Sequence, residues 1–218
     1  MNVDIWSDVA CPWCYIGKRR FEAALSRFAH RDEVDVRWRS FELDPEPAIR
    51  EGTYVERLAA KYGVTEQDAE ATIDTMIEAG AQHGVVLRFD KARPANTFDA
   101  HRLLHLAGAR GAQHDLKERM LHATFTRGAC IADHDVLAGL AADAGLEAAE
   151  TAAVLSGDAY AADVRADERR AAELGITSVP YFVVAGSLGV SGAQPPDLLL
   201  QVLQEGWDAP APRPAQSS

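Results

Sequence analysis

The chain has 218 residues, of which 22 are basic and 33 acidic, for a formal charge of -11; 47% are hydrophobic and 25% charged. That size and balance fit a soluble globular protein with one sizeable core, or one domain carrying a large insertion. The negative charge counts against nucleic acid and anionic membrane surfaces as main partners, because both call for a basic face.

The opening stretch, MNVDIWSDVA, has no basic segment and no long apolar run, and nothing in the chain approaches the roughly 18 apolar residues of a membrane span. We therefore expect a cytoplasmic protein. Structural disulfides are rare there, so a close cysteine pair points to catalysis, redox sensing or metal binding.

In chain order, residues 2–7 (NVDIWS) alternate apolar and polar and predict a strand. Residues 12–29 carry Tyr15, Ile16, Phe21, Ala24, Leu25 and Phe28 at helical spacing. Residues 34–43 alternate again, Val34, Val36 and Trp38 against Asp35, Arg37 and Arg39, and predict a second strand. The connection is long enough for a parallel crossover.

From about Thr53 to Leu174 the pattern is helix after helix. Thr65 and Asp68 predict a capping box, Thr97 a cap for FDAHRLLHLAGA, and Asp133 a cap for HDVLAGLAADA, which Gly145 ends. Gly111 separates FDAHRLLHLAGA from QHDLKERMLHATF, and a last long helix is expected from about Ala159 to Leu174. After Gly175, TSVPYFVVAG and LGVSG predict a hairpin around Gly186 and Ser187, and a closing helix spans roughly Pro196 to Gly206. The expected organisation is an α/β domain from residues 1–50 and 160–207, a helical insertion from 51–159, and a disordered proline-rich tail, 208–218.

Two of the three cysteines, Cys11 and Cys14, fall where the first strand gives way to the first helix, in SDVACPWCYIGKRRF. Pro12 is tolerated at an early helical position. The free N–H groups and dipole of a helix start favour a thiolate at Cys11, and the thiolate is the nucleophile. Cys14, about one turn on, is placed to resolve a mixed disulfide. Trp13 is either an apolar contact for substrate or a packed surface tryptophan.

The rival for such a pair is half a zinc site. Cys130 and His134 would have to complete it, across more than one hundred residues; otherwise Cys130 is an inert thiol or a third redox partner. His101 and His105 lie one turn apart and read as metal or proton-handling groups, or as partly buried histidines facing a cleft. Ser178-Val179-Pro180-Tyr181-Phe182 places a proline at the start of an apolar strand, where the missing N–H does no harm.

As a set, SDVACPWCYIGKRRF, ANTFDAHRLLHLA (95–107), DHDVLAGLA (133–141), SVPYFVV (178–184) and VSGAQP (190–195) resemble the thioredoxin superfamily, in its DsbA-like branch, and look like cytoplasmic FrnE-type oxidoreductases. The resemblance spans nearly the whole chain except the tail. It implies a thioredoxin-like α/β fold with a large all-helical insertion, and thiol–disulfide exchange with Cys11 attacking and Cys14 resolving. It also implies a cis Val179-Pro180 bond beside the pair, in a loop that binds substrate together with Pro12 and Trp13. The substrate is a thiol or disulfide of protein or small-molecule origin, and no metal or organic cofactor is required. DsbA itself has Pro-His where this chain has Pro-Trp, and a tryptophan offers the thiolate a single N–H, so a less oxidising pair is expected. The resemblance extends to kappa-class glutathione transferases and 2-hydroxychromene-2-carboxylate isomerases, in which an asparagine near Asn96 helps form the ligand pocket; a helix-entry role suits Asn96 as well. The alternatives are thus a glutathione-dependent transferase or isomerase, with glutathione as co-substrate, and a non-enzymatic zinc or redox-sensing module. The oligomeric state is open.

Overall fold

The computed structural model describes residues 1–45, 52–93 and 95–209. Strand β1 (Asn2–Ser7) lies inside a mixed sheet of order β2-β1-β3-β4. It runs parallel to β2 (Asp35–Ser40), with Ile5 opposite Trp38, and antiparallel to β3 (Tyr181–Val184), with Ile5 opposite Phe182. Strand β4 (Leu188–Ser191) pairs antiparallel with β3 around the expected Gly186–Ser187 turn.

Helices α1 (Pro12–Arg27) and α9 (Pro196–Asp208) cover this sheet. Val3, Ile5, Phe21, Trp38, Phe182 and Leu203 form the core between them. The Phe21 and Phe182 rings stack at 5.6 Å. Each such side chain contributes about 1.5–3 kcal/mol by leaving water.

Seven helices lie between β2 and β3 among the described residues. They are α2 (Tyr54–Tyr62), α3 (Glu66–Ala81), α4 (Phe98–Ala109), α5 (Gln113–His122), α6 (His134–Asp143), α7 (Ala148–Ser156) and α8 (Ala161–Glu173). Helix α5 runs on into a π-helical turn, Ala123–Arg127. These helices have their own core, with Leu103, Leu116, Met120, Leu137 and Leu140 fully or almost fully buried. Val9, from the turn that carries the cysteines, is part of that core.

Polar ties join the helices to the sheet. Gln113 reaches the edge strand β2, accepting from Trp38 N at 3.0 Å and donating to Trp38 O at 3.0 Å, as a neighbouring strand would. Asp167 of α8 accepts from Ser40 N at 2.9 Å and from Arg39 at 3.2 Å, while Trp6 Nε1 donates to its carbonyl. Lys18 of α1 is buried and bridges Glu22 and Glu118 of α5 at 2.5 and 2.7 Å.

Several local expectations change. The Thr65–Asp68 capping box and the Asp133 cap are present. Thr97 does not cap α4: its hydroxyl is buried without a partner, and Asn96 Oδ1 accepts from Phe98 N at 2.9 Å instead. The long helix expected before residue 174 begins at Ala161, with α7 as a separate helix before it. Helix α9 extends to Asp208, the first residue of the expected tail, and that tail from residue 210 onward lies outside the described residues.

Candidate active site

Cys11 is the N-cap of α1, in extended conformation, with Pro12 first in the helix. Its Sγ accepts from Cys14 N at 3.2 Å, one of the orphan donors of the first turn. The Cys11 thiol in turn points to Val179 O at 3.6 Å. The Val179–Pro180 peptide bond is cis. Both cysteines are free and buried, Cys14 completely and Cys11 to within 4%.

This burial changes the electrostatic expectation. Loss of water, first of all, pushes the Cys11 thiol well above its ordinary value; Cys14 and the Asp8 charge push the same way, and the Cys14 N–H opposes them. Burial at Cys11 thus works against the thiolate that its place at a helix start favours.

Around it lies an apolar shell of Trp6, Ile176, Val179, Phe41 and Leu43, with Trp13 partly buried against it. Gly17 allows Pro180 to approach: a Cβ there would meet Pro180 Cγ at 2.7 Å. The Tyr54 hydroxyl is held protonated by burial and by its nearness to Cys11. Sequence reasoning passed over Gly17, Tyr54 and Asp8; only the glycine inside a helical pattern gave a signal.

The other candidates are occupied elsewhere. Asn96 donates to Glu42 Oε1 at 3.2 Å and to Pro45 O at 3.3 Å, besides accepting from Phe98 N. Its polar atoms thus hold the entry to α4 against the loop after β2. In that loop, burial and Glu168 push Glu42 up to about 7, against the pull of Arg165 at 2.6 Å. His101 faces Asp8 at 3.3 Å, and His105 faces Ser40 and Asp167 at 3.1 and 3.2 Å. His134 pairs with Asp99 at 2.8 Å rather than joining Cys130. Among the described residues no group of three or more such side chains could hold a metal ion. No described helix is long and apolar enough to cross a membrane.

A cysteine N-cap, a partner thiol one turn on and a facing cis-proline loop form one constellation. The profile of the DSBA-like thioredoxin domain matches residues 2–204. The chain belongs to that family. Its members of known structure include a probable DsbA oxidoreductase of Streptomyces coelicolor, 46% identical, with a TM-score of 0.91 over 97% of this chain and 92% of that one. An uncharacterized protein of Bacillus subtilis, YwbO, is 28% identical over 94% of this chain and 96% of its own length. The cytosolic disulfide reductase DsbM of Pseudomonas aeruginosa, solved with GSH, shares the fold: 19% identity and a TM-score of 0.68 over 96% of this chain and all of that one. The fold is thus DsbA-like, a thioredoxin sheet with a helical insertion, and the family is one of oxidoreductases and related enzymes.

Proposed function

We propose that this protein is a cytoplasmic thiol–disulfide oxidoreductase that works through Cys11 and Cys14. The carrying observation is the placement of Cys11 Sγ between Cys14 N and the Val179 carbonyl, with the second thiol within the same helical turn. Cys11 attacks a substrate disulfide and one substrate thiol leaves. Cys14 then attacks Cys11 Sγ, the mixed disulfide breaks, and the second substrate thiol departs. Two electrons pass from the pair to the substrate, and the two thiol protons end on the substrate sulfurs.

Val179 and Pro180, with Pro12 and Trp13, form the lip against which the substrate strand or peptide rests. The described helices of the insertion form the far wall of that cleft, with Asn96 at its edge. The substrate is a thiol or disulfide; the glutathione held by the distant DsbM relative supports a small peptide thiol as one member of that class.

The burial of the pair bears on its redox poise. A strongly oxidising pair needs a stabilised thiolate in its reduced form. Here burial disfavours the Cys11 thiolate. We therefore expect a couple less oxidising than that of DsbA.

The test is a trapping experiment with glutathione disulfide. Reduced Cys14→Ser is expected to accumulate one glutathione adduct on Cys11, whereas the wild type passes through it to the internal disulfide. Cys11→Ser should form neither. Undiminished exchange in Cys11→Ser overturns the assignment, and saturable glutathione binding with no disulfide at any stage establishes the transferase or isomerase reading instead.

A further inference from the structure

The segment that follows β4 backs the cis-proline and is fastened to the cysteine helix by one side chain. Gly192 N donates to Pro180 O at 2.8 Å. Gly192 takes φ +82°, a left-handed conformation that glycine adopts without the penalty of a Cβ. The turn is closed by its own bonds, Gln194 N to Gly192 O at 2.9 Å and Gln194 Nε2 to Ser191 O at 2.8 Å. A Cβ added to Gly17, which would meet Pro180, would also lie 3.5 Å from the Ala193 methyl. The proline and the turn behind it therefore meet α1 at the same point.

Arg20, three residues beyond Gly17 on α1, makes the polar bonds across this contact. Its Nη1 donates to Ala193 O at 2.5 Å, and its Nε donates to His83 Nε2 at 3.1 Å, just past the end of α3. A guanidinium has no acceptor, so that imidazole nitrogen carries a lone pair and His83 is neutral in this contact. Burial and the Arg20 charge both push His83 down, which favours the neutral ring. The neighbouring Lys18 and Arg19 both pair with Glu118. Arg20 instead bonds a backbone carbonyl and a neutral ring, partners that fix its place without cancelling its charge.

We propose that Arg20 is a positioning residue for exchange: by holding the Ala193 carbonyl to α1, it keeps Pro180 in the place that a substrate resting on the Val179–Pro180 loop requires. This rests on the redox reading above. Cys11 caps the helix that carries Arg20, and the Gly192–Pro180 bond joins Pro180 to the turn that Arg20 holds. A shift of the turn against α1 therefore moves Pro180 relative to Cys11. In the step concerned, Cys11 gives its thiol proton to solvent and its sulfur attacks one sulfur of the substrate disulfide. A bond forms between Cys11 and that sulfur, the substrate S–S bond breaks, and the departing thiolate takes up a proton. The sulfurs have to meet close and in line, so a small displacement of the surface under the substrate costs rate while the Cys11 thiol itself is unchanged.

The experiment uses the full chain with Cys14→Ser and Cys130→Ala, which leaves Cys11 as its one thiol. It is mixed with two disulfides, and the adduct is followed by mass: glutathione disulfide has a peptide backbone to rest on the loop, and dithiodipyridine has none. Adding Arg20→Met is expected to slow the glutathione disulfide reaction about fivefold and the dithiodipyridine reaction by less than about twofold. Arg20→Lys, which restores a donor for Ala193 O, is expected to fall between. His83→Gln, which keeps an acceptor for Arg20 Nε, is expected to stay nearer the parent than His83→Ala does. Amide hydrogen exchange gives a second reading that needs no substrate. In Arg20→Met, peptides covering residues 186–195 should exchange faster, and those of α4 and α9 should not. Equal slowing with both disulfides, no slowing with either, unchanged protection of 186–195 or a general loss of protection overturns the proposal. Should Arg20→Met not fold, Arg20→Lys takes its place in both measurements. A parent whose Cys11 accepts neither disulfide fails the redox reading instead, and with a parent that accepts dithiodipyridine alone the amide exchange decides.

Discussion

Cys11 Sγ lies 3.6 Å from the carbonyl oxygen of Val179, a residue 168 positions away in the chain. The contact joins the start of α1 to the segment that leads into β3. Around it the structure holds a dithiol that is short of water.

The reactivity of Cys11 follows from that environment. Its thiol is raised by burial, so the thiolate fraction at neutral pH is small. Alkylation of the reduced protein with iodoacetamide should be slower at Cys11 than at a free cysteine at pH about 7, and should still be rising above pH about 8.5, the ordinary thiol value. Peptide mass spectrometry separates Cys11 from the half-buried Cys130. Fast, pH-independent alkylation of Cys11 near neutrality would show that the helix start dominates burial.

Gly17 offers a stability test with a built-in control. Alanine is favoured over glycine inside a helix by about 1 kcal/mol. At position 17 its methyl would fall 2.7 Å from the Pro180 ring, which has no flexible end to move away. Overpacking of this kind costs about 1–3 kcal/mol. Gly17→Ala is therefore expected to lower Tm and to weaken exchange. Gly139→Ala, with nothing within 4 Å of the new methyl, should raise Tm.

The Glu22 cluster predicts an acid limb of stability. Burial acts to raise Glu22, but its bond to His114 and the Lys18 charge outweigh this and hold it at about 2. A carboxylate depressed in the folded state contributes stability above its unfolded value of about 4.3, and that contribution is lost as pH falls from there toward 2. Denaturant titrations of Glu22→Gln at pH about 7 and about 3 should show a smaller loss on acidification than the wild type shows. An equal loss in both removes Glu22 from the account.

Arg102 holds the end of α7. It donates to Val154 O, to Gly157 O at 2.6 Å and to Ala159 O at 2.9 Å, carbonyls that the helix end leaves without partners. Arg102→Met leaves these buried acceptors unpaired, at about 1–3 kcal/mol each before relaxation. A loss of about 2–4 kcal/mol is expected in urea unfolding, with the cysteine chemistry of the folded fraction retained.

The strand–helix–strand opening and the hairpin were legible because their apolar periods are clean and their turn glycines sit at the ends. The cysteine pair was legible from its position at that junction. Lys117 was not: in QHDLKERM it reads as one more charge on a solvated helix, and only the packing of α5 against β2 buries it. Thr97 and Asn96 stand side by side as cap-forming residues, and the hydrogen bond from Phe98 N chose the asparagine. The thiolate expectation at Cys11 followed the helix start; the burial that works against it comes from Trp6, Phe41, Leu43, Ile176 and Val179, side chains far apart in the sequence.

The most direct test of the central claim is the redox equilibrium of the pair. The protein is equilibrated in glutathione buffers of graded ratio, free thiols are alkylated, and the peptides carrying Cys11 and Cys14 are read by mass spectrometry. The account predicts that both convert together, with a midpoint nearer the roughly −270 mV of thioredoxin than the roughly −120 mV of DsbA. Independent titration of the two cysteines, or failure of the pair to oxidise at all, would contradict it.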